Sequence, residues 1–205
     1  MAKKKKNQKH TEAVRRKVAA SEEMSKLGLD LTDDLSAVGF VFSHLAVSQL
    51  TYLGLESINR VCKERTGVDI CIFSQHLIPS CLQLLCPVFS VSELTRWQSY
   101  PLISTSIGTT IAALASNADT VYHLAFDPEF MDKSHYKSSD LHRAFCHPRV
   151  KVIVRHESHK KLIETEFGIQ TCDMIVSDLD AEALIKFVLT ERKNGHDSKL
   201  ADKTQ

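Results

Sequence analysis

PLISTSIGTTIAALA (residues 101–115), TVYHLAF (120–126), VKVIV (150–154) and CDMIV (172–176) decide the fold of this chain. The first joins a strand to a helix. VKVIV leads into HESHKKLIETEFG (156–168), and CDMIV into DLDAEALIKFVLTE (178–191), both with helical spacing. TVYHLAF leads into a polar loop. Alternating strands and helices predict a parallel sheet with helices on its faces. Such sheets bind ligands in the crevice beyond the carboxyl ends of their strands.

Toward the N-terminus the pattern repeats. AVGFVFS (37–43) is apolar enough for a strand buried on both faces. HLAVSQLTYLGLESINRVCKERTG (44–67) has helical spacing, with Leu45, Leu50, Leu53, Ile58 and Val61 near one face. Lys63 and Arg65 suit its C-terminus, and Gly67 its stop. VDICIFS (68–74) completes a βαβ unit. Pro79 and Pro87 then divide the chain into a short helix SCLQLL (80–85) and a short strand VFSV (88–91). SELTRW (92–97) reads as a helical turn capped by Ser92. Gly168 should close one late helix, and Asp178 or Asp180 should cap the last.

The expected architecture is α/β: one three-layer domain over residues 36–192 with a mostly parallel sheet. A basic, disordered or loosely helical arm (1–35) precedes it and a polar tail (193–205) follows. The 205 residues and 43% apolar content suffice for one real core. Aromatics are sparse at 7%, with one Trp, which weighs mildly against an aromatic-stacking nucleic-acid binder. In residues 1–17, Lys3, Lys4, Lys5, Lys6, Lys9, Arg15, Arg16 and Lys17 stand against Glu12, a net +7. The whole chain is +1, so the rest carries about −6. That arm is either a solvated tail or a phosphate-binding arm for nucleic acid or an acidic partner. The six cysteines form no CxxC, and several lie in apolar runs, as buried free thiols do. MAKKKK lacks the apolar core of a secretory leader, and no apolar run reaches membrane-span length. The expectation is a cytoplasmic, reducing setting with no membrane contact.

Three constellations could carry chemistry. Ser104, Thr105, Ser106, Gly108 and Thr109 lie where a strand hands over to a helix. Small hydroxylated residues there either cap the helix or cradle a phosphate or sugar. Arg155, His156 and Glu157 follow the VKVIV strand. An Arg can pair with a phosphate or carboxylate, and a His can move a proton near neutral pH. Asp127-Pro128-Glu129 ends the TVYHLAF strand, as an ordinary turn or as a carboxylate pair for ribose or metal. His142, Cys146, His147, His156 and His159 match no zinc template, so no metal is expected.

RHESHKKLIETEFG followed by CDMIV and SDLDAEALIKF resembles the end of one Rossmann-like half of a GT-B glycosyltransferase. The stretch from PLISTSIGTTIAALA to TVYHLAFDPEFM is more similar to glycosyltransferase-like proteins of tailed phages. The likeness spans residues 36–190. It implies a Rossmann-like domain in a host-cell cytoplasm, with a nucleotide or nucleotide-sugar as ligand or donor. Ser104, Thr105, Ser106, Gly108, Thr109, Arg155 and Asp127 would hold that ligand, and His156 or Glu157 would be the base. Glu157 and Glu164 are spaced like the family's donor-binding acidic pair, but their helix does not otherwise match. The second domain of a full enzyme has no counterpart here. A non-enzymatic protein working through its basic arm is the other reading. A homo-oligomer joined through SCLQLLCPVF (80–89) is a third possibility, and that segment could equally be core.

Overall fold

The computed structural model describes residues 36–64, 67–127, 131 and 136–201, with the backbone alone for 195–201. The basic arm, Arg65, Pro128 and Glu129 lie outside the described residues. Six strands form one sheet: β1 (Ala37–His44), β2 (Asp69–His76), β3 (Val88–Ser90), β4 (Leu102–Ser104), β5 (Val121–Ala125) and β6 (Val150–Val154). Their order is β3-β2-β1-β4-β5-β6, and every pairing is parallel. The helices are α1 (Gln49–Glu64), α2 (Ile107–Ala113), α3 (Ser138–Cys146), α4 (Glu157–Phe167) and α5 (Ala181–Ala201). A 3₁₀ helix, Val91–Arg96, precedes β4. This is the doubly wound, Rossmann-like arrangement, and its strand order reverses between β1 and β4.

Side-chain alternation along the strands builds two apolar layers. Val38, Phe40 and Phe42 of β1, with Ile103, Tyr122, Leu124 and Ile153, pack under α1 and α5. Val41, Leu102, Val121, Val152 and Val154 face the 3₁₀ helix, α2, α3 and α4. Period-two residues on a sheet must alternate in this way. Both faces are covered, which is why the strands read as continuous apolar runs. At Gly54, α1 lies so close to β1 that a Cβ would stand 3.1 Å from the Phe42 ring. Arg149 donates to the carbonyls of Leu114, Ser116 and Ala118, satisfying acceptors just after α2. Gly168 ends α4 at φ 64°, and the Asp180 carboxylate accepts from the N–H groups of Glu182 and Ala183 at the start of α5.

Four elements differ from the sequence reading. SCLQLL forms no helix. Its backbone is instead held by α1, where Asn59 donates to Gln83 O and accepts from Leu85 N, and by the chain just after β1, where Leu45 O accepts from Cys81 N. Cys81, Leu82, Leu84, Cys86 and Val88 pack against the core, whereas Leu85 and Phe89 are exposed. CDMIV is no full strand; it touches β6 through one bridge, Ile175 to Val154, with Cys172 N and Val176 N donating to β6 carbonyls. The polar loop after β5 contains α3, whose Leu141, Ala144 and Phe145 are buried. The 3₁₀ helix is capped by Ser90 rather than Ser92. In addition, α5 runs on through Ala201, into the segment read as a polar tail.

Candidate functional site

The order reversal leaves a crevice where β1 and β4 part. A cleft of about 390 Å³ occupies it. Its walls come from four strand ends: Phe42, Ser43 and His44 of β1, Gln75 of β2, Thr105, Ser106 and Gly108 after β4, and Asp127 after β5. Ser48, Gln49, Leu50 and Thr51, where α1 begins, close one side, and Tyr136 another. A second cleft, about 360 Å³, lies between α3 and α4 and is lined by Leu141, His142, Cys146 and Phe167 among others. None of the candidate site residues lines it.

Two helix starts behave differently at the main cleft. At α1, the Ser48 hydroxyl accepts from Thr51 N, and its carbonyl accepts from Tyr52 N. The N–H groups of Gln49 and Leu50 are the first-turn donors without an intrahelical acceptor. At α2, the Ser106 and Thr109 side chains form a reciprocal capping box. Thr109 also accepts from Thr105 N and Ser106 N. Thr105 donates its hydroxyl to Val41 O, tying β4 to β1 at the floor of the cleft.

Of the Ser/Thr cluster, Thr105, Ser106 and Gly108 reach the cleft. Ser104 and Thr109 are fully buried with their hydroxyls bonded internally. Ser104, Thr110 and His123 form a sealed polar chain under the turn, with 2.7 Å between successive polar atoms. Burial pushes the His123 imidazole down to about 4, so the ring is neutral at pH 7.

Asp127 and Arg155 are brought together, with 3.8 Å between carboxylate and guanidinium. Arg155 also donates Nε to Ser177 O and lies 4.1 Å over the Phe126 ring. Asp127 lines the cleft and Arg155 does not. His156 and Glu157 are exposed at the start of α4 and do not line the cleft. His156 packs edge-on against His159, whose pKa is lowered by burial and then by His156 and Arg155. Glu164, partner of Glu157 in the expected acidic pair, accepts from Thr171 N and Oγ1, which hold its pKa below the usual range. Cys146 turns toward Phe167 O, and the His147 ring accepts from Arg149 N. Burial raises the Cys62, Cys71, Cys86, Cys146 and Cys172 thiols, Cys86 to about 12. They are poor thiolate nucleophiles. Among the described residues no group of three or more His, Cys, Asp or Glu could hold a metal ion. Nor is any described helix long and apolar enough to cross a membrane.

Sequence reasoning missed Ser43, His44, Gln49 and Gln75. Ser43, Gln49 and Gln75 make no side-chain hydrogen bond among the described residues, and His44 Nδ1 is buried without a partner. Each sits at the carboxyl end of a strand or in the first turn of α1. The signal that finds them is the position of β1 beside β4. No family model, no curated protein and no solved structure matches this chain.

Proposed function

We propose that this is a glycosyltransferase-like Rossmann domain that holds a nucleotide or nucleotide-sugar in the cleft between β1 and β4. The observation that carries the reading is where the cleft lies. It opens at the point of strand-order reversal, where α/β sheets bind ligands. Its volume falls within the range of small-molecule sites, about 300–1,000 Å³. The first turn of α1, a sixteen-residue helix, supplies N–H donors and the positive end of a dipole for a phosphate. Sugar transfer would break the bond from the anomeric carbon to the phosphate oxygen and form one to an acceptor hydroxyl. The nucleotide leaves as the phosphate anion, and His44, whose imidazole lines the cleft, would take the acceptor proton. His156 and Glu157, the bases suggested by family resemblance, stand outside the cleft.

The test is the melting temperature of the purified chain against a panel of nucleotides and nucleotide-sugars. A ligand that binds the native state raises it with the logarithm of concentration over Kd. A shift with a nucleotide-sugar, and none with its free sugar, supports the reading. No shift with any of them rejects it.

A second reading rests on the net +7 of residues 1–17. There the arm binds nucleic acid or an acidic partner, and the folded body is a scaffold. Binding should weaken steeply with salt and vanish on deleting residues 2–17. Unchanged binding after that deletion excludes it.

A further inference from the structure

Away from the cleft, two half-buried cysteines meet at the C-terminal end of α1. We infer that Cys62 and Cys86 form a redox-active dithiol, a modification site at which a small-molecule disulfide of the glutathione class writes a reversible crosslink. The path of the chain brings them together. Cys81 N donates to Leu45 O, just before α1 begins, and Asn59, late in α1, holds Gln83 O and Leu85 N. Residues 81–85 thus run along α1 toward its C-terminal end. Cys62 stands one turn beyond Asn59 on the same side of the helix, and Cys86 is the residue after Leu85. Both side chains pack against the core layer under α1 and α5. Their thiols are hydrogen-bonded to each other, with Cys86 as the donor. Cys71 packs in the opposite layer and Cys81 lies at the far end of α1, so neither matches this placement.

The exchange balances in two steps. The Cys62 sulfur, whose charged form the Cys86 S–H favours, gives up its proton and attacks one sulfur of the disulfide. One small thiol leaves with that proton, and Cys62 is held as a mixed disulfide. Cys86 then loses its proton and attacks the Cys62 sulfur. The bond between the two cysteines forms, and the second small thiol departs protonated. The protein has lost two hydrogens with their electrons, and the oxidant has become two thiols. Burial raises both thiols, so the exchange is slow at neutral pH and quickens in alkali. The crosslink closes a loop of about two dozen residues that contains β2, which restricts the unfolded chain and stabilises the fold.

The full chain is held under native conditions, at mildly alkaline pH, with millimolar oxidised glutathione, then alkylated and mapped by mass spectrometry. Two of the six free thiols should disappear into a Cys62–Cys86 link. The melting temperature should rise by roughly 5–15 °C and return with dithiothreitol. Cys86→Ser should instead retain glutathione on Cys62 and show no rise, and Cys81→Ser should behave as the parent. The linkage map of the parent decides the matter even where a variant does not fold. Six thiols left free, glutathione retained on the parent, or either cysteine linked to Cys71 or Cys81 would overturn the inference. So would a crosslink that lowers the melting temperature, because the thiols would then have left their places to meet. None of these outcomes bears on the ligand of the β1–β4 cleft.

Discussion

Thr110 Oγ1 stands 2.7 Å from His123 Nδ1, joining α2 to β5 where both side chains are sealed from water. The same hydroxyl is 2.7 Å from Ser104 Oγ and 2.8 Å from Ser106 O. With the Nδ1–H tautomer of His123 donating to Thr110, the Ser104 hydroxyl gives its one proton to Thr110 or to Tyr122 O, 3.2 Å away, and Thr110 gives its own to Ser106 O or to Ser104. Three consecutive elements, β4, α2 and β5, are thereby fastened beneath the turn that carries Thr105 and Ser106 into the cleft.

Thr110→Val keeps the shape and removes the hydroxyl. Ser104 loses its nearest partner and His123 is left buried without one. The expected cost is about 1–3 kcal/mol in chemical denaturation, since unpaired buried polar groups forfeit their hydration. A variant as stable as the parent would show that the chain of hydroxyls does not hold the turn.

His123 also sets an acid limit. Its value is about 4 in the folded protein against an ordinary 6.5, because burial disfavours the imidazolium. Between those two pH values the unfolded chain binds a proton that the folded chain does not. Stability therefore falls as pH drops from 6.5 toward 4, and above 6.5 this group has no effect. The loss is about 3 kcal/mol in order of magnitude. His123→Gln, which can still bond to Thr110, should unfold with a flatter pH dependence in that window. Equal slopes for the two proteins would remove His123 from the acid response.

Gly108 borders the cleft at the start of α2. A Cβ there would meet only the Gln75 amide, at 3.8–3.9 Å, ordinary contact. Gly108→Ala should fold and gain about 0.5–1 kcal/mol from helix propensity. Its methyl group stands on the cleft wall beside Gln75, so ligand affinity should fall while the melting temperature rises. A parallel rise in both would separate Gly108 from the ligand.

Most of the sheet was legible in the sequence because β1, β2, β5 and β6 are buried on both faces, and buried strands show as unbroken apolar runs. The 3₁₀ helix and α3 were harder, being short and judged against polar surroundings. Leu141, Ala144 and Phe145 do carry helical spacing, inside only nine residues. The failure at SCLQLL has a non-local cause, since Asn59, two dozen positions earlier, supplies the hydrogen bonds a helix would have made. The site was legible only in part for the same reason. Local pattern located the Ser/Thr turn after β4 and the polar end of β5. It could not place β1 beside β4, and so could not bring His44, Gln49 and Gln75 to the same cleft. Nor could it show that Ser104 and Thr109 turn inward, because capping and ligand binding use the same residue types at the same junction.

Amide hydrogen exchange with and without a nucleotide-sugar that raises the melting temperature locates the ligand on the fold. Exchange should slow at Gln49 and Leu50, where α1 begins, and at Ser106–Gly108 after β4, with α3 and α4 unchanged. Protection confined to the α3–α4 cleft around His142 and Phe167, or absent from the β1–β4 crevice altogether, would contradict it.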